Sequence, residues 1–180
     1  MTRRLFAGAA LAPLFASAAA PRVSRADLRS LEKNFDNRIN QAVPEDPLDL
    51  LGNTRGIYLE GYGVVLSAEV GLVIAPAPTP FAPTQTREAK ERLRQRKLAR
   101  APLLRKLMRD MLVTTATNLR GVPMNEQVVV GVTLFYQSWE DTSGLPGQIL
   151  VQAQRKALAD LEAGRVKPEA LASIIQEQVL

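Results

Sequence analysis

The sequence contains neither cysteine nor histidine among its 180 residues. Without cysteine, the chain can form no disulfide, thiolate metal site or iron–sulfur cluster, and it has no cysteine nucleophile. Without histidine, it lacks the side chain best suited to proton transfer near neutral pH and the commonest ligand of transition metals. A Ser-His-Asp triad is excluded for the same reason. The sequence therefore predicts no metal site, no cofactor and no catalytic constellation.

The chain is also short of long apolar stretches, aromatic residues and charge of one sign. No uninterrupted apolar run reaches the roughly 18 residues that a conventional membrane span needs. Aromatic residues make up 5% of the chain, and the net charge is +5, of which Arg3 and Arg4 supply two charges. So mild a positive charge does not argue for nucleic acid, and we expect no nucleic-acid partner.

Residues 1–19 have the three parts of an export signal. A basic start containing Arg3 and Arg4 precedes an apolar stretch over residues 5–15. The small residues at 16–18 then match the pattern that a signal peptidase accepts. We therefore expect an exported bacterial protein, periplasmic or secreted, from which this segment is cleaved.

Cleavage is expected after Ala18 or Ala19, because proline is a poor residue directly after the scissile bond. Arg3 and Arg4, followed at the second position by Phe6, also resemble a twin-arginine export signal. Two alternatives stay open for this segment. It packs into the fold as an N-terminal helix, or it is kept as an uncleaved anchor.

The first half of the expected domain, residues 20–180, begins with a helix and a hairpin. Apolar residues recur at helical spacing and predict a helix over 25–41. β-Branched and aromatic residues then predict a hairpin with strands near 55–60 and 63–74, joined by a glycine-containing turn. Four prolines within 75–85 predict an extended surface loop.

The second half contains a long helical segment and one very apolar strand. The helical pattern runs over 86–119, where Pro102 predicts a kink or a division into two helices. The segment 128–137 predicts a central strand, because both of its faces are mostly apolar. Further helices are expected over 147–163 and 167–180, each with apolar residues along one side.

These elements predict a single α+β domain. A small sheet of three strands or slightly more, two of them in the hairpin, would pack against several helices, including one long basic helix. The long helix could also serve as a crossover between two parallel strands.

The strongest compositional anomaly is the basic segment 87–110, which holds ten Lys or Arg residues against three acidic ones. Its long side chains could cover apolar surface on a solvated face, lie on an anionic membrane surface, or contact an acidic protein. Nucleic acid is not favoured, because no aromatic residues are interleaved with the cations. The candidate binding residues on this helix are Arg94, Arg96, Lys97 and Arg100.

A polar loop over 137–147 holds the only tryptophan and follows the predicted central strand. Loops at this place in α/β sheets often carry binding sites, so Trp139, Glu140 and Asp141 are candidate binding residues. The simpler interpretation is that Trp139 covers the core and Asp141 organises the turn.

Three functional hypotheses follow. The favoured one is an exported, non-enzymatic binding or assembly protein that contacts a protein partner or an anionic membrane surface through the basic helix. The alternative is an exported hydrolase-type enzyme that uses carboxylates or a hard metal ion, with candidates Glu60, Glu69, Glu140 and Asp141. A third is self-association through an exposed edge of the sheet, which leaves the oligomeric state open.

Overall fold

A computed structural model describes residues 23–75, 85–119 and 121–180, apart from the side chain of Pro168. The signal expected over 1–19 lies outside the described residues. The same holds for the proline-rich loop expected over 75–85, except for its two end residues. Within the described ranges, no helix combines the length and the apolar character needed to cross a bilayer.

The described part of the chain forms six strands and four helices. The strands are β1 (Asp49–Leu50), β2 (Arg55–Leu59), β3 (Gly63–Gly71), β4 (Gln127–Leu134), β5 (Gln148–Gln154) and β6 (Gln176–Val179). The helices are α1 (Arg25–Gln41), α2 (Arg87–Asn118), α3 (Arg155–Glu162) and α4 (Leu171–Ile174), with a 3-10 turn at Pro168–Ala170 before α4. The predicted α+β class is confirmed, but the expected sheet of three strands is too small.

The sheet is mixed. Its order is β1–β3–β4–β5–β6, and β2 pairs with the first part of β3. Strands β3 and β4 run parallel, and the other described pairs run antiparallel. Helix α2 follows β3 and precedes β4, so it is the crossover that joins the two parallel strands. The predicted central position of β4 is confirmed, since β4 lies between β3 and β5.

The core lies between one face of the sheet and the helices. In β3, Val64, Leu66 and Val70 are fully buried, whereas Ser67 and Glu69 on the opposite face are exposed. This alternation is typical of a strand with one face in the core and the other exposed. The helices supply Leu31, Phe35, Leu104 and Met108 to the same core cluster, and the neighbouring strands supply Val130 and Val151. The other face of the sheet is left with mainly polar side chains.

Helix α1 spans the predicted residues. The Ser24 hydroxyl accepts a hydrogen bond from the Asp27 backbone N–H at 3.1 Å, and the Asp27 carboxylate accepts one from the Ser24 backbone N–H at 3.3 Å. This reciprocal capping box satisfies two N–H groups that the first turn of a helix leaves unpaired. The predicted apolar face is buried in full: Leu28, Leu31, Phe35 and Ile39.

The helix predicted over 147–163 is wrong in its first half. Residues Gln148–Gln154 form β5, which pairs antiparallel with β4, and only Arg155–Glu162 is helical. Ile149, Val151 and Ala153 point into the core at every second position. A strand forms here because the free side of β4 offers hydrogen bonds that a helix would leave unsatisfied.

The helix predicted over 167–180 is also wrong. The chain forms the 3-10 turn and one turn of helix α4, and then β6 pairs with β5. Gln176, Glu177 and Gln178 favour helix by intrinsic propensity. The ladder with β5 overrides that preference, since strand propensity depends strongly on the neighbouring strand.

Helix α2 is one continuous element of 32 residues with Pro102 inside it, so the division into two helices is not observed. Proline in a helix interior costs about 3 kcal/mol, because it removes one hydrogen bond and crowds the preceding turn. Leu104, Met108, Met111 and Leu112 are fully buried just beyond the proline, and each such burial contributes about 1.5–3 kcal/mol. Packing against the sheet therefore outweighs the cost of the proline.

Candidate functional site

The loop that the sequence selects, residues 137–147 and here called the Trp loop, packs against the first half of α2. Lys97 of α2 and Glu140 form an ion pair whose side chains are only 1% and 3% exposed. The other carboxylate oxygen of Glu140 accepts a hydrogen bond from the Gln137 backbone N–H at 3.0 Å. Two predicted binding residues are therefore brought together, and they bind each other.

Tyr136, which follows strand β4, packs against the Lys97–Glu140 ion pair. The Lys97 ammonium lies 4.9 Å from the centroid of the Tyr136 ring, a cation–π contact. The Tyr136 hydroxyl donates a hydrogen bond to the Pro146 carbonyl at 2.7 Å. Burial raises the pKa of Tyr136 to about 12, and the negative charge of Glu140 adds to the shift. The phenol therefore stays protonated near neutral pH and links the two ends of the Trp loop.

Arg94 holds the far side of the Trp loop. Its guanidinium donates to the Ser143 carbonyl at 3.0 Å and lies 3.9 Å from the Asp141 carboxylate. Asp141 accepts a hydrogen bond from the Ser143 backbone N–H at 2.9 Å. The hydrogen bonds from Ser143, with the positive charge of Arg94 as a smaller cause, hold the pKa of Asp141 below its usual range. Arg94 and Asp141 thus organise the loop.

The two remaining basic candidates share one acidic partner. Arg96 and Arg100 each place a guanidinium nitrogen 2.5 Å from the Asp46 carboxylate. Arg100 also donates to the Leu72 carbonyl at 3.1 Å. All four candidate cations of α2 therefore have an acidic partner inside the protein. Their predicted role in binding a partner stays a prediction.

The first turns of α2 hold three further basic residues that were not among the candidates. Arg87, Lys90 and Arg92 make no ion pair with any described residue. Arg92 and Arg96 line a cleft of about 250 Å³ together with the ring of Trp139. The indole N–H of Trp139 is buried and has no hydrogen-bond partner in the described part of the chain. Trp139 therefore lines a cleft instead of joining the core cluster.

The four carboxylates considered for catalysis have different partners or lie in different parts of the fold. Glu140 is paired with Lys97, while Asp141 is bound by Ser143. Glu60 lies in the hairpin turn, and Glu69 lies in a shallow depression on the polar face of the sheet. Among the described residues, no group of three or more acidic residues is placed to hold a metal ion.

The two edges of the sheet differ in how their backbone groups are used. At the β2 edge, the Gly56 N–H donates to Glu32 at 2.8 Å, and the Gly56 carbonyl accepts from Arg25 at 3.1 Å. The Thr54 N–H donates to Asp36 at 2.9 Å. Side chains of α1 thus occupy three backbone groups along this edge, which hinders the pairing of an added strand there.

The β6 edge has no comparable cover in the described ranges. Leu180 and Gln148 exchange two backbone hydrogen bonds, so Gln178, two residues away, also directs its backbone groups toward β5. Glu177 and Val179 lie between these positions and direct their N–H and C=O groups outward. None of these four groups bonds to another described residue.

A groove of about 420 Å³ runs beside this open edge, between β6, α4 and α2, and is here called the edge groove. Leu171, Ile175 and Val179 supply apolar walls. Arg105 and Arg109 of α2 supply a charged wall. Unpaired strand groups, apolar surface and positive charge therefore meet at one place.

Glu177 sits between the two arginines of the edge groove. Arg109 donates to one carboxylate oxygen of Glu177 at 2.5 and 3.0 Å, and Arg105 donates to the other oxygen. Burial works to raise the pKa of Glu177, but the hydrogen bonds from Arg109 and Arg105 outweigh it and hold the pKa below its usual range. The Arg105–Glu177–Arg109 triad therefore carries one surplus positive charge near neutral pH.

Sequence reasoning missed the edge groove because it missed β5 and β6. A partial signal for β5 was present, since Ile149, Val151 and Ala153 recur at the period of a strand, but Leu150 interrupts the alternation with glutamine. For β6 no local signal exists, because its glutamines and glutamate are typical of helices. Arg105 and Arg109 therefore looked like part of a solvated helix face.

Comparisons with protein-family models, with curated protein sequences and with solved structures found no match for this chain.

Proposed function

We propose that this chain is an exported, non-enzymatic binding or assembly protein that engages a protein partner through the open edge of β6. The observation that carries the proposal is the unequal treatment of the two sheet edges. At the β2 edge, Arg25, Glu32 and Asp36 bind three backbone groups, whereas the outward groups of Glu177 and Val179 at the β6 edge bond to no described residue. An edge that is left open beside an apolar groove is suited to strand addition.

The basic helix has a smaller part in this proposal than the sequence suggested. Arg94, Arg96, Lys97 and Arg100 are engaged by acidic partners of the same chain. An electrostatic contact with an acidic protein or an anionic membrane surface would therefore use the first turns of α2, which hold Arg87, Lys90 and Arg92.

Export itself can be tested on the full chain expressed in a bacterium. We expect the exported form to begin at Ala19 or Ala20, as read by mass spectrometry of the periplasmic and culture fractions. Replacing both Arg3 and Arg4 with lysine should stop export through the twin-arginine route and leave ordinary secretion unaffected. Recovery of only the full-length chain from the cytoplasm would contradict the export proposal.

Binding through β6 can be tested with Val179→Pro. Proline removes the outward N–H of residue 179 and is tolerated at a strand edge, since that N–H makes no hydrogen bond within the fold. The tagged, exported wild-type chain should capture its partner proteins. We expect Val179→Pro to reduce the amounts of these captured proteins at least tenfold, as measured by quantitative mass spectrometry.

The matched control is Val179→Ala, which loses the same apolar side chain but keeps the N–H. This variant should retain the captured proteins within a few-fold of wild type. If Val179→Pro captures the same proteins as wild type while remaining folded, the β6 edge is not the binding surface.

A further inference from the structure

Building on that proposed function, we infer that the edge groove takes an extended segment of a partner protein, which adds a strand to β6 and places an acidic side chain on the Arg105–Glu177–Arg109 triad. The partner is thereby identified by a short residue pattern.

Strand alternation decides which partner side chains face the groove. A strand added outside β6 would exchange backbone hydrogen bonds with Glu177 and Val179. Side chains directly opposite these two residues point to the same face of the sheet as they do. Glu177 contacts Arg105 and Arg109 on the helix side, so the partner residue opposite Glu177 lies at the triad. The intervening partner residue lies beside Gln178 on the polar face.

Arg105 and Arg109 have guanidinium N–H donors that Glu177 does not use. Arg105 gives Glu177 only its Nε donor, and Arg109 gives it Nε and Nη2. The remaining guanidinium nitrogens of both residues donate to no described residue, and the two side chains are 40% and 41% exposed. A carboxylate opposite Glu177 would accept these donors in charge-assisted hydrogen bonds, which are about twice as strong as neutral ones.

The rest of the groove limits the pattern to a single acidic position. Val179 is 47% exposed, and together with Leu171 and Ile175 it offers apolar surface to the partner residues two positions away from the acid. Glu169 stands on another wall of the groove and makes no ion pair with a described residue. A uniformly acidic chain would be repelled there. The expected order is therefore apolar, polar, acidic, polar, apolar.

A second copy of this chain carries the same residue order in its own Ile175–Val179, but it fits the edge less well. Two β6 strands paired around Glu177 would set the two Glu177 carboxylates opposite each other, and each is already held by the two arginines of its own copy. Each copy would then bring its own triad, with one surplus positive charge, close to the other triad. Like charges at this short range disfavour such a pair, whereas an acidic segment neutralises the triad.

The test uses two short peptides as probes of the wild-type chain. One is fluorescein-labelled Thr-Val-Thr-Glu-Thr-Val-Thr amide, and the other carries lysine in place of the glutamate. We expect the glutamate peptide to bind at least tenfold more tightly, as measured by fluorescence anisotropy. A version of the glutamate peptide that is N-methylated at alternate residues on its pairing edge should not bind, because the strand hydrogen bonds would be lost.

Arg105→Gln removes one cation of the triad but leaves α2 bonded to β6, because Arg109 still makes two hydrogen bonds to Glu177. We expect this variant to lose roughly tenfold in its preference for the glutamate peptide. Lys106→Gln is the matched control. It removes one cation from the adjacent position, where Lys106 pairs with Asp110, and should leave the preference unchanged.

Three outcomes would overturn the inference. They are equal binding of the two peptides, an unchanged preference in Arg105→Gln, and a wild-type dimer in sedimentation that Val179→Pro converts to a monomer. The first two leave the proposed function standing if Val179→Pro still abolishes partner capture, and the third assigns the edge to self-assembly. If Val179→Pro has no effect on capture, the proposed function fails separately.

Discussion

Lys97→Met is expected to lower the free energy of unfolding by about 3–5 kcal/mol, the usual cost of removing one partner of a buried ion pair. The loss is large because the substitution leaves the Glu140 carboxylate, whose side chain is 3% exposed, without its counter-charge. The cation–π contact with the Tyr136 ring is lost as well. Urea titration of the purified protein measures the change.

The double variant Lys97→Met/Glu140→Gln separates charge from packing. Glutamine keeps an oxygen that can accept the Gln137 backbone N–H, and no charge is left buried. Replacing both members of a buried pair by neutral residues is often close to neutral, so we expect the double variant to regain about 2 kcal/mol over Lys97→Met.

The control is Lys106→Met on the same helix. Lys106 pairs with Asp110, but its side chain is 74% exposed, so the change should alter stability by no more than about 0.5 kcal/mol. Additive losses from Lys97→Met and Glu140→Gln would contradict the idea that the pair is coupled. The Trp loop would then need another explanation for its position on α2.

Gly63→Ala is expected to destabilise the protein by about 3–5 kcal/mol, from backbone strain and overpacking together. Gly63 has a φ of +135°, which side-chain-bearing residues rarely adopt. A Cβ there would lie 1.9 Å from the Gln127 carbonyl oxygen, where the parallel pairing of β3 with β4 begins. The obstacle is backbone, which cannot rotate away as a flexible side chain can. The melting temperature and the urea midpoint both report the loss.

Gly61→Ala is the matched control in the same hairpin turn. Gly61 also has a positive φ, of 80°, but no atom lies within 4 Å of the position that a Cβ would take. Only the left-handed backbone penalty of about 1–2 kcal/mol applies. If Gly61→Ala proves as harmful as Gly63→Ala, close approach to β4 is not the reason for the glycine at position 63.

Sequence reasoning succeeded where the determining interactions are local. Helix α1 carries its capping box and its apolar spacing within its own residues, and the hairpin carries its glycine-containing turn. Strand β4 was recognised because both of its faces are apolar. In each case the element could be read from neighbouring residues, since capping, turn geometry and periodicity act over a few positions.

The candidate site was predicted only in part. Glu140 pairs with Lys97, and Asp141 lies near Arg94, although the loop and the helix were selected separately from the sequence. What they do together could not be read from sequence, because an arginine on a helix has the same local pattern whether it faces solvent or an acidic side chain of a distant strand. Asp46 lies 50 positions before Arg96, and its contact with that residue depends on how the chain closes around the sheet.

By itself, the sequence determined the chemistry that the chain has available: no thiol, no imidazole, a basic central helix and the strongest strands of the sheet. Tertiary structure alone decided that residues 176–179 became a strand, which basic residues are neutralised internally, and which sheet edge is left open. The physical reason is that interstrand hydrogen bonds and ion pairs are made between residues far apart in the chain. Their free energy outweighs the weak local preference of glutamine and glutamate for helix.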